Sequence, residues 1–530
     1  MEIYDSSFFV PLTALAVPAI LTATALLSPR RAQLASTAAA GTALLFAIFA
    51  ALHNGAAGAS LTPLFGVRVD AATAVMLMLI TSLGVVIVRY SKTYLDGELG
   101  LTRYRRYLLL TLAAVSLLAQ SNHLVVIMLS WSATSIALHQ LLTFFATRPA
   151  ALVAAHKKFL VSRLADVCLI VSLGLVHASV GSFELDRIDA WVAAQATLPS
   201  SMHIAAVFLV LAVALKSAQL PFHGWIIQVM EAPTPVSALL HAGAVNIGGF
   251  VLIRLAPWIE QAGPARLLLV LIGASSAIAA ALIMTTRVSV KVALAWSTCA
   301  QMGFMLVQCG LGLWPLALLH LVAHSLYKAH AFLSAGATVD DWKLKTFSFR
   351  AAAVSPLAAM TSALAAVVVP VLSVAFYRAH VGLPLWSEPP AFGLAILVGF
   401  SLLPLLTVRA ARGIRAGAAT AVRISGFTML YLSWHILAEQ VVPVQQAASN
   451  AAGWWIAAVA FGTLFAVKTS LALAPTGRFA RWLHPWLFSG LYLDEFFTRL
   501  TFRLWPPHVS PSPQRVSRSL SSTSALGVHV

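Results

Sequence analysis

The sequence predicts an all-α polytopic membrane protein with about fifteen transmembrane helices. Hydrophobic residues make up 60% of the 530 residues and charged residues only 10%, whereas a soluble domain carries roughly 25% charged residues. The apolar residues also gather in runs of about 20, the length at which a helix crosses the hydrocarbon core of a bilayer. The fold class therefore follows from composition and run length.

Apolar runs of membrane length define the predicted helices. They lie near residues 8–28, 34–52, 71–91, 104–119, 122–145, 158–178, 203–220, 233–256, 266–286, 290–310, 313–335, 351–377, 390–408, 421–440 and 453–473. After these runs, apolar and charged positions recur near helical spacing at 483–505, which predicts an amphipathic helix on the membrane surface or against a partner. The Ser-, Pro- and Arg-rich tail at 506–530 is predicted to be disordered.

The loop charges predict the orientation of the chain. The net charge is +17, but the basic clusters separate membrane-length runs and so indicate a positive-inside bias rather than nucleic-acid binding. Basic residues fall in alternate loops, whereas the intervening loop at 180–201 is acidic. We therefore expect the N-terminus outside, the C-terminus in the cytoplasm and no nucleic-acid partner.

Lys216 is the strongest functional candidate, because it stands among aliphatic residues just before Pro221. A cation inside a membrane is costly and a proline breaks a helix, so the two residues indicate an ion path at a broken helix. The alternative is a lysine that only caps the carbonyl groups freed by the break. Asp166 shares a predicted helix face with Arg163, and it forms either a local ion pair there or the carboxylate that tunes Lys216.

His320, His324 and Lys328 follow one another at spacings of four, so they share one helix face over about 12 Å. Such a row suits proton hopping, since imidazole exchanges protons near neutral pH. Metal binding by the two histidines is the alternative, although the next side chain in the row is a cation. His241 is either a link between Lys216 and this row or an interhelical hydrogen-bonding residue. Glu231 precedes a proline turn, where a loop or capping role competes with transport.

Enzyme chemistry leaves no signature in the sequence. Cys168, Cys299 and Cys309 stand in apolar runs, so neither a disulfide framework nor a thiolate metal site is indicated. A phosphate-binding glycine loop, a nucleophile elbow and a dinucleotide fingerprint are all missing. We expect a transport subunit without a cofactor of its own.

Six stretches of sequence form a recognisable set. They are Trp131, Lys157-Lys158 with Ser162-Arg163-Leu-Ala-Asp166, Lys216-Ser-Ala-Gln-Leu-Pro221, Ala232-Pro-Thr-Pro-Val-Ser-Ala-Leu-Leu-His241, Lys291-Val-Ala-Leu-Ala-Trp-Ser-Thr298 with Gln301-Met-Gly303, and His320-Leu-Val-Ala-His324-Ser-Leu-Tyr-Lys328. Over roughly residues 85–340 the chain resembles the antiporter-like subunits of respiratory NADH dehydrogenase and of multisubunit Na⁺/H⁺ antiporters. The resemblance implies two inverted five-helix repeats, each with a broken helix. It also implies that Lys216 is the central channel lysine, His241 a connecting residue, and Lys328 with its histidines the path to the central axis.

Two departures from that family pattern concern the charged groups. Ser132 occupies the place of a glutamate that pairs with the channel lysine, and the predicted helix at 351–377 lacks the second repeat's lysine. The implied organisation is N-terminal helices (1–103), a first repeat (104–256), a degenerate second repeat (257–408), C-terminal helices (409–473), a surface helix (474–505) and a tail (506–530).

The segment at 490–505 makes the chain more similar to the membrane subunits of the DAB family, which accumulate inorganic carbon in bacteria. That similarity implies a place in the bacterial plasma membrane and a large cytoplasmic DabA-like subunit, which resembles zinc β-carbonic anhydrases and holds the zinc. H⁺ or Na⁺ flowing through this chain would then drive conversion of carbon dioxide to bicarbonate by the partner. The alternatives are a subunit of a respiratory or antiporter complex, and a scaffold that conducts no ions.

Overall fold

A computed structural model of the chain describes residues 6–27, 29–57, 66–337 and 450–506, with scattered positions between 368 and 442. Apart from two isolated bridges, the regular structure of these residues is helical. Within them, nine helices are long and apolar enough to cross a membrane. The protein is therefore a multi-pass membrane protein of helical fold.

The helices are numbered here over the described residues. In chain order they are α1 Ser6–Leu26, α2 Pro29–Ala57, α3 Ala71–Tyr94, α4 Leu101–Gln120, α5 Leu124–Leu142, α6 Pro149–Val180, α7 Leu185–Ala193, α8 Ser200–Lys216, α9 Gly224–Gln228, α10 Thr234–Leu239, α11 Ile247–Arg254, α12 Ala256–Gln261, α13 Gly263–Ile283, α14 Val290–Gly310, α15 Trp314–Leu333, α16 Ala451–Leu473, α17 Arg478–Phe488 and α18 Glu495–Leu504.

Three predicted helices, at 351–377, 390–408 and 421–440, lie outside the described residues except for single positions, as does all but the first residue of the tail at 506–530. The count of fifteen spans and the second repeat therefore stay predictions. The short helix α7 was not predicted, because nine residues are too few to register as a membrane span. Its buried Leu185, Ile188 and Val192 recur at helical spacing and hold it against the protein.

The chain breaks its helical path directly after Lys216, which is the last residue of α8. The sequence predicts a broken segment with Lys216 near its middle, and the structure places the break directly after this residue. Pro221 has no N–H to continue the ladder, and Ala218 adopts a positive φ of 54°. The break packs closely on α11, where a Cβ on Gly248 would overlap Ser217 Oγ.

A second irregularity interrupts the helix predicted at 233–256. A π-turn, Leu240–Ala244, separates α10 from α11 and contains His241. Such turns widen the backbone ladder by one residue and leave local carbonyl and amide groups outside the regular pattern. The two irregular segments face each other across the interior, since Leu240 and Lys216 line the same cavity.

The C-terminal part of the described chain forms two short helices, α17 and α18, where the sequence predicts one helix at 483–505. A turn at Gly490–Tyr492 joins them, with Leu491 at a φ of 57°. Helix α18 packs on α6, and Trp505 after it stacks on His156 with ring centroids 4.0 Å apart. The segment 478–505 thus covers one end of α6.

Candidate functional site

A carboxylate shared by two cations forms the centre of the site. Asp166 on α6 lies 2.8 Å from Nζ of Lys216 and 2.9 Å from the guanidinium of Arg163. Ser132 donates a hydrogen bond to the same carboxylate at 2.9 Å. The Lys216 ammonium also lies 4.9 Å from the centroid of the Trp131 ring, a cation–π distance. The structure therefore brings Lys216, Asp166 and Arg163 together.

The charge balance of this centre depends on Lys216. Its side chain is only 4% exposed and that of Asp166 13% exposed, so both groups have lost most of their hydration. With Arg163 and Lys216 both protonated, one carboxylate faces two positive charges. Because an uncompensated buried charge costs several kcal/mol, the centre becomes neutral only when Lys216 releases its proton. Lys216 can therefore hold a proton beside Asp166, but the remaining positive charge favours release of that proton.

A second lysine, Lys158, lines the cavity beside Lys216. Its ammonium donates to Ser135 Oγ at 2.9 Å and to the Ser135 carbonyl oxygen at 3.1 Å. The cavity measures about 20 Å³ and is lined in part by Lys158, Lys216 and Trp225, which is enough for one water molecule. Lys158 belongs to one of the six recognisable stretches but had no role assigned from the sequence, although its spacing of eight from Asp166 places both on one face of α6.

His241 connects this cavity with the opposite side of the π-turn. Its neighbour Leu240 lines the cavity, and the imidazole itself is fully buried. Nδ1 of His241 lies 3.1 Å from Thr298 Oγ1, and the ring stacks on Phe332 of α15 at 4.3 Å. His241 therefore stands between the Lys216 cavity and α15.

The row His320, His324 and Lys328, called the α15 row below, runs along α14. The two ring nitrogens of His320 lie 2.8 Å and 2.9 Å from the side-chain oxygens of Gln308 and Gln301. The rings of His320 and His324 are 6.0 Å apart, and neither nitrogen of His324 has a hydrogen-bond partner among the residues that the structure describes.

Lys328 completes the α15 row with neutral partners. It donates to Ser297 Oγ at 2.8 Å and to the Leu294 carbonyl oxygen at 3.0 Å. Ser297, Gln301 and Gln308 were not selected from the sequence, although their spacings of four and seven place them on one face of α14. Over the described ranges, no group of three or more His, Cys, Asp or Glu side chains is arranged to hold a metal ion.

Glu231 is not part of this arrangement. Its carboxylate lies 3.3 Å from Arg148, and the two side chains are 45% and 54% exposed. An ion pair that is this open to solvent contributes little to stability. The structure thus places Glu231 at the surface, apart from the Lys216 centre.

A partly exposed ion cluster that was not predicted from the sequence lies at the end of α11. Arg254 at the end of α11 lies 2.6 Å from Asp70, and Arg68 lies 3.4 Å from Asp70, 3.3 Å from Asp186 and 2.9 Å from Asp189. Burial raises the pKa of the Asp189 carboxyl, and the nearby Arg68 only partly offsets that effect. The cluster ties α11 to α7 and to the start of α3.

Comparison with known families gives matches over most of the chain. Residues 121–388 match the family described as NADH:quinone oxidoreductase/Mrp antiporter, transmembrane part. Residues 57–105 match the family described as NADH-ubiquinone oxidoreductase (complex I), chain 5 N-terminus. Together the two regions contain the Lys216 centre, His241 and the α15 row.

Individual proteins are similar over longer stretches. The chain is 37% identical to "Probable inorganic carbon transporter subunit DabB2" of Halothiobacillus neapolitanus, over 95% of this chain and 96% of that protein. It is 38% identical to "Probable inorganic carbon transporter subunit DabB" of Hydrogenovibrio crunogenus, over 83% of each. A chain of the Mrp complex from Dietzia sp. has the same fold with a TM-score of 0.62, at 23% identity over 93% of this chain and 59% of that one.

Proposed function

The chain belongs to the NADH:quinone oxidoreductase/Mrp antiporter family, among its DabB-type inorganic carbon transporter subunits, and from that membership we propose that it conducts a cation to energise inorganic carbon accumulation. The cation, H⁺ or Na⁺, moves down its gradient. Its flow drives conversion of carbon dioxide to bicarbonate by a large, zinc-containing DabA-like partner. The chain lies in the bacterial plasma membrane, with its N-terminus outside and the partner on the cytoplasmic side.

The observation that carries this proposal is the ion triad of Arg163, Asp166 and Lys216 at the helix break. Lys216 takes up a proton from one side and passes it toward His241, after which the carboxylate keeps Arg163 as its partner. The α15 row continues the route, because His320 and His324 alternate between donor and acceptor states. His241, which packs on α15, connects the two parts.

The side chains around Lys216 favour H⁺ over Na⁺ as the conducted ion. A sodium ion prefers several oxygen ligands, as other hard cations do, whereas the cavity is lined by the ammonium groups of Lys158 and Lys216. These positive groups repel a metal cation but exchange protons with neighbouring groups. We therefore assign proton conduction as the first form of the proposal to test.

Replacement of Lys216 tests the proposed function directly. We expect Lys216→Met to abolish accumulation of labelled bicarbonate in cells, while the partner still copurifies. Assembly survives because Asp166 keeps its contacts with Arg163 and Ser132. Lys92→Met, at an exposed lysine in the last turn of α3, serves as the matched control and retains accumulation.

Flux measurements separate ion conduction from a scaffold role. Proteoliposomes containing the purified complex should conduct H⁺ under an imposed gradient, and Lys216→Met should stop that flux. Wild-type accumulation in Lys216→Met cells, or an absence of both H⁺ and Na⁺ flux from the wild-type complex, would contradict the proposal.

A further inference from the structure

The segment 478–505 packs against the part of the protein around Lys157 and the helix break. The guanidinium of Arg287 donates to the Leu487 carbonyl oxygen at 2.7 Å. The ring of Phe497 packs edge-on against Phe222 at 5.0 Å, directly after the helix break. Helix α18 also packs on α6, and Asp494 just before it binds Gln228 at the end of α9.

Asp494, at the start of α18, inserts its carboxylate into this interface. Both of its oxygens accept hydrogen bonds from Lys157 Nζ at 2.9 Å, and one accepts a further bond from Gln228 at 3.1 Å. The Lys157 side chain is only 1% exposed, whereas Asp494 is 28% exposed. A Cβ on Gly224 would overlap the carboxylate of Asp494, so only glycine leaves room for it. Asp494 thus compensates a buried charge from the surface side.

Residues adjacent to the partners of Asp494 line the cavity beside Lys216. Lys157 is followed by Lys158, and Gln228 lies one turn of α9 from Trp225; both Lys158 and Trp225 line that cavity. In the described part of the chain, Oε1 of Gln228 and Nε1 of Trp225 are buried without a hydrogen-bond partner. Buried polar atoms normally have partners, so these two atoms mark a polar route from Asp494 inward.

We propose that Asp494 is a latch that closes the mouth of the ion path on the basic side, and that its release from Lys157 opens the route to Lys216. This inference rests on the proposed function, since it assigns a gate to the same path. A subunit whose ion flux drives a partner's reaction must not conduct ions when the partner is inactive. The Asp494 carboxylate supplies the closure because it ties α18, α6 and α9 together at one point.

The latch predicts a gain of conduction rather than a loss when Asp494 is neutralised. In proteoliposomes containing the full-length complex, we expect Asp494→Asn to raise passive H⁺ flux about tenfold, because charge-assisted hydrogen bonds to Lys157 are lost. Asp494→Glu should restore low flux. Glu495→Gln is the matched control, since Glu495 is exposed and pairs with Arg499 one turn away; its flux should equal that of the wild type.

A double variant shows whether the leak uses the assigned path. Adding Lys216→Met to Asp494→Asn should return the flux to the low level of the closed protein. A leak that persists without Lys216 would overturn the latch, because the ions would then cross elsewhere. Unchanged or lower flux in a folded, assembled Asp494→Asn complex would also overturn it.

Thiol labelling gives a second readout that does not depend on flux. Ser162 lines the cavity beside Lys216, and the natural cysteines Cys168, Cys299 and Cys309 are buried. A membrane-impermeant thiol reagent should label Ser162→Cys rapidly in the Asp494→Asn background and slowly with Asp494 intact. Equal labelling in both backgrounds would exclude an opening at this mouth.

Failure of the latch is distinguishable from failure of the proposed function. If Lys216→Met blocks bicarbonate accumulation while Asp494→Asn neither leaks nor exposes Ser162→Cys, only the latch is wrong. If Lys216→Met leaves accumulation intact, the proposed function itself is wrong, whatever the Asp494 variants do.

Discussion

The Lys216 centre and the α15 row hold buried cationic groups in opposite ways. At the centre, Asp166 faces both Lys216 and Arg163 at ion-pair distance. In the α15 row, Lys328 has a hydroxyl and a carbonyl oxygen as partners, and amide oxygens flank His320. A carboxylate stabilises a permanent charge, whereas neutral dipoles stabilise one only partly. Protonated Lys216 therefore has a charged partner that it shares with Arg163, whereas protonated Lys328 has only neutral partners among the described residues.

Removing the carboxylate from the centre should cause the largest effect. Asp166→Asn leaves the cations Lys216 and Arg163 facing each other without compensation, so we expect a loss of about 3–5 kcal/mol in the free energy of unfolding. Thermal unfolding of the purified protein in detergent measures this loss. Glu184→Gln, which removes an exposed pair with Arg187, should cost less than about 1 kcal/mol. Equal stability of the two variants would show that the Asp166 carboxylate contributes no more to stability than an exposed ion pair does.

A smaller loss of stability is expected in the α15 row. Lys328→Met leaves only the neutral acceptors Ser297 and Leu294 without a donor, which costs about 1–2 kcal/mol. Proton flux in proteoliposomes should nevertheless fall to background, because the last titratable group of the row is gone. Tyr327→Phe, at an exposed neighbour, is the control and should retain flux. If Lys328→Met destabilised the protein as much as Asp166→Asn, the row would hold a fixed charge after all.

The ion cluster at Arg68 has the opposite charge pattern to the Lys216 centre, since several carboxylates share one arginine. Its replacement should give the smallest change in stability. There, one arginine lies within 3.4 Å of Asp70, Asp186 and Asp189. Burial raises the pKa of Asp189 above its ordinary value, so ionisation of Asp189 costs folding free energy. The contribution of Asp189 to wild-type stability should therefore fall as pH rises above about 4, the unfolded value, through the raised folded pKa.

Asp189→Asn removes that titration, and Arg68 keeps Asp70 and Asp186 as partners. We expect the variant to be equal to wild type near pH 4 and more stable by at most about 1 kcal/mol at pH 8. Unfolding at a series of pH values measures the difference. A wild type that gains stability over the variant as pH rises would show that Arg68 dominates and that the pKa of Asp189 is lowered.

Several features of the protein could be predicted from the sequence because they depend on local spacing. Apolar runs of membrane length predict the spans, and spacings of four place His320, His324 and Lys328 on one face. The cation before Pro221 predicts a helix break near Lys216. The π-turn around His241 was not predictable in this way, because the residues from 233 to 256 read as an ordinary apolar helix.

The partners of the buried charges required the tertiary structure. From the sequence, Asp166 is equally a local partner of Arg163 or the partner of Lys216, which is fifty residues away, and in the structure one carboxylate serves both. Lys157 and Asp494 lie 337 residues apart, and the intervening chain gives no signal of their contact. The sequence by itself determined that the protein is a multi-pass helical membrane protein and which polar groups share a helix face, since composition sets the first and backbone periodicity the second. Only the packing of helices decided which charges meet, because a buried ion pair depends on distances between elements that are remote in the chain.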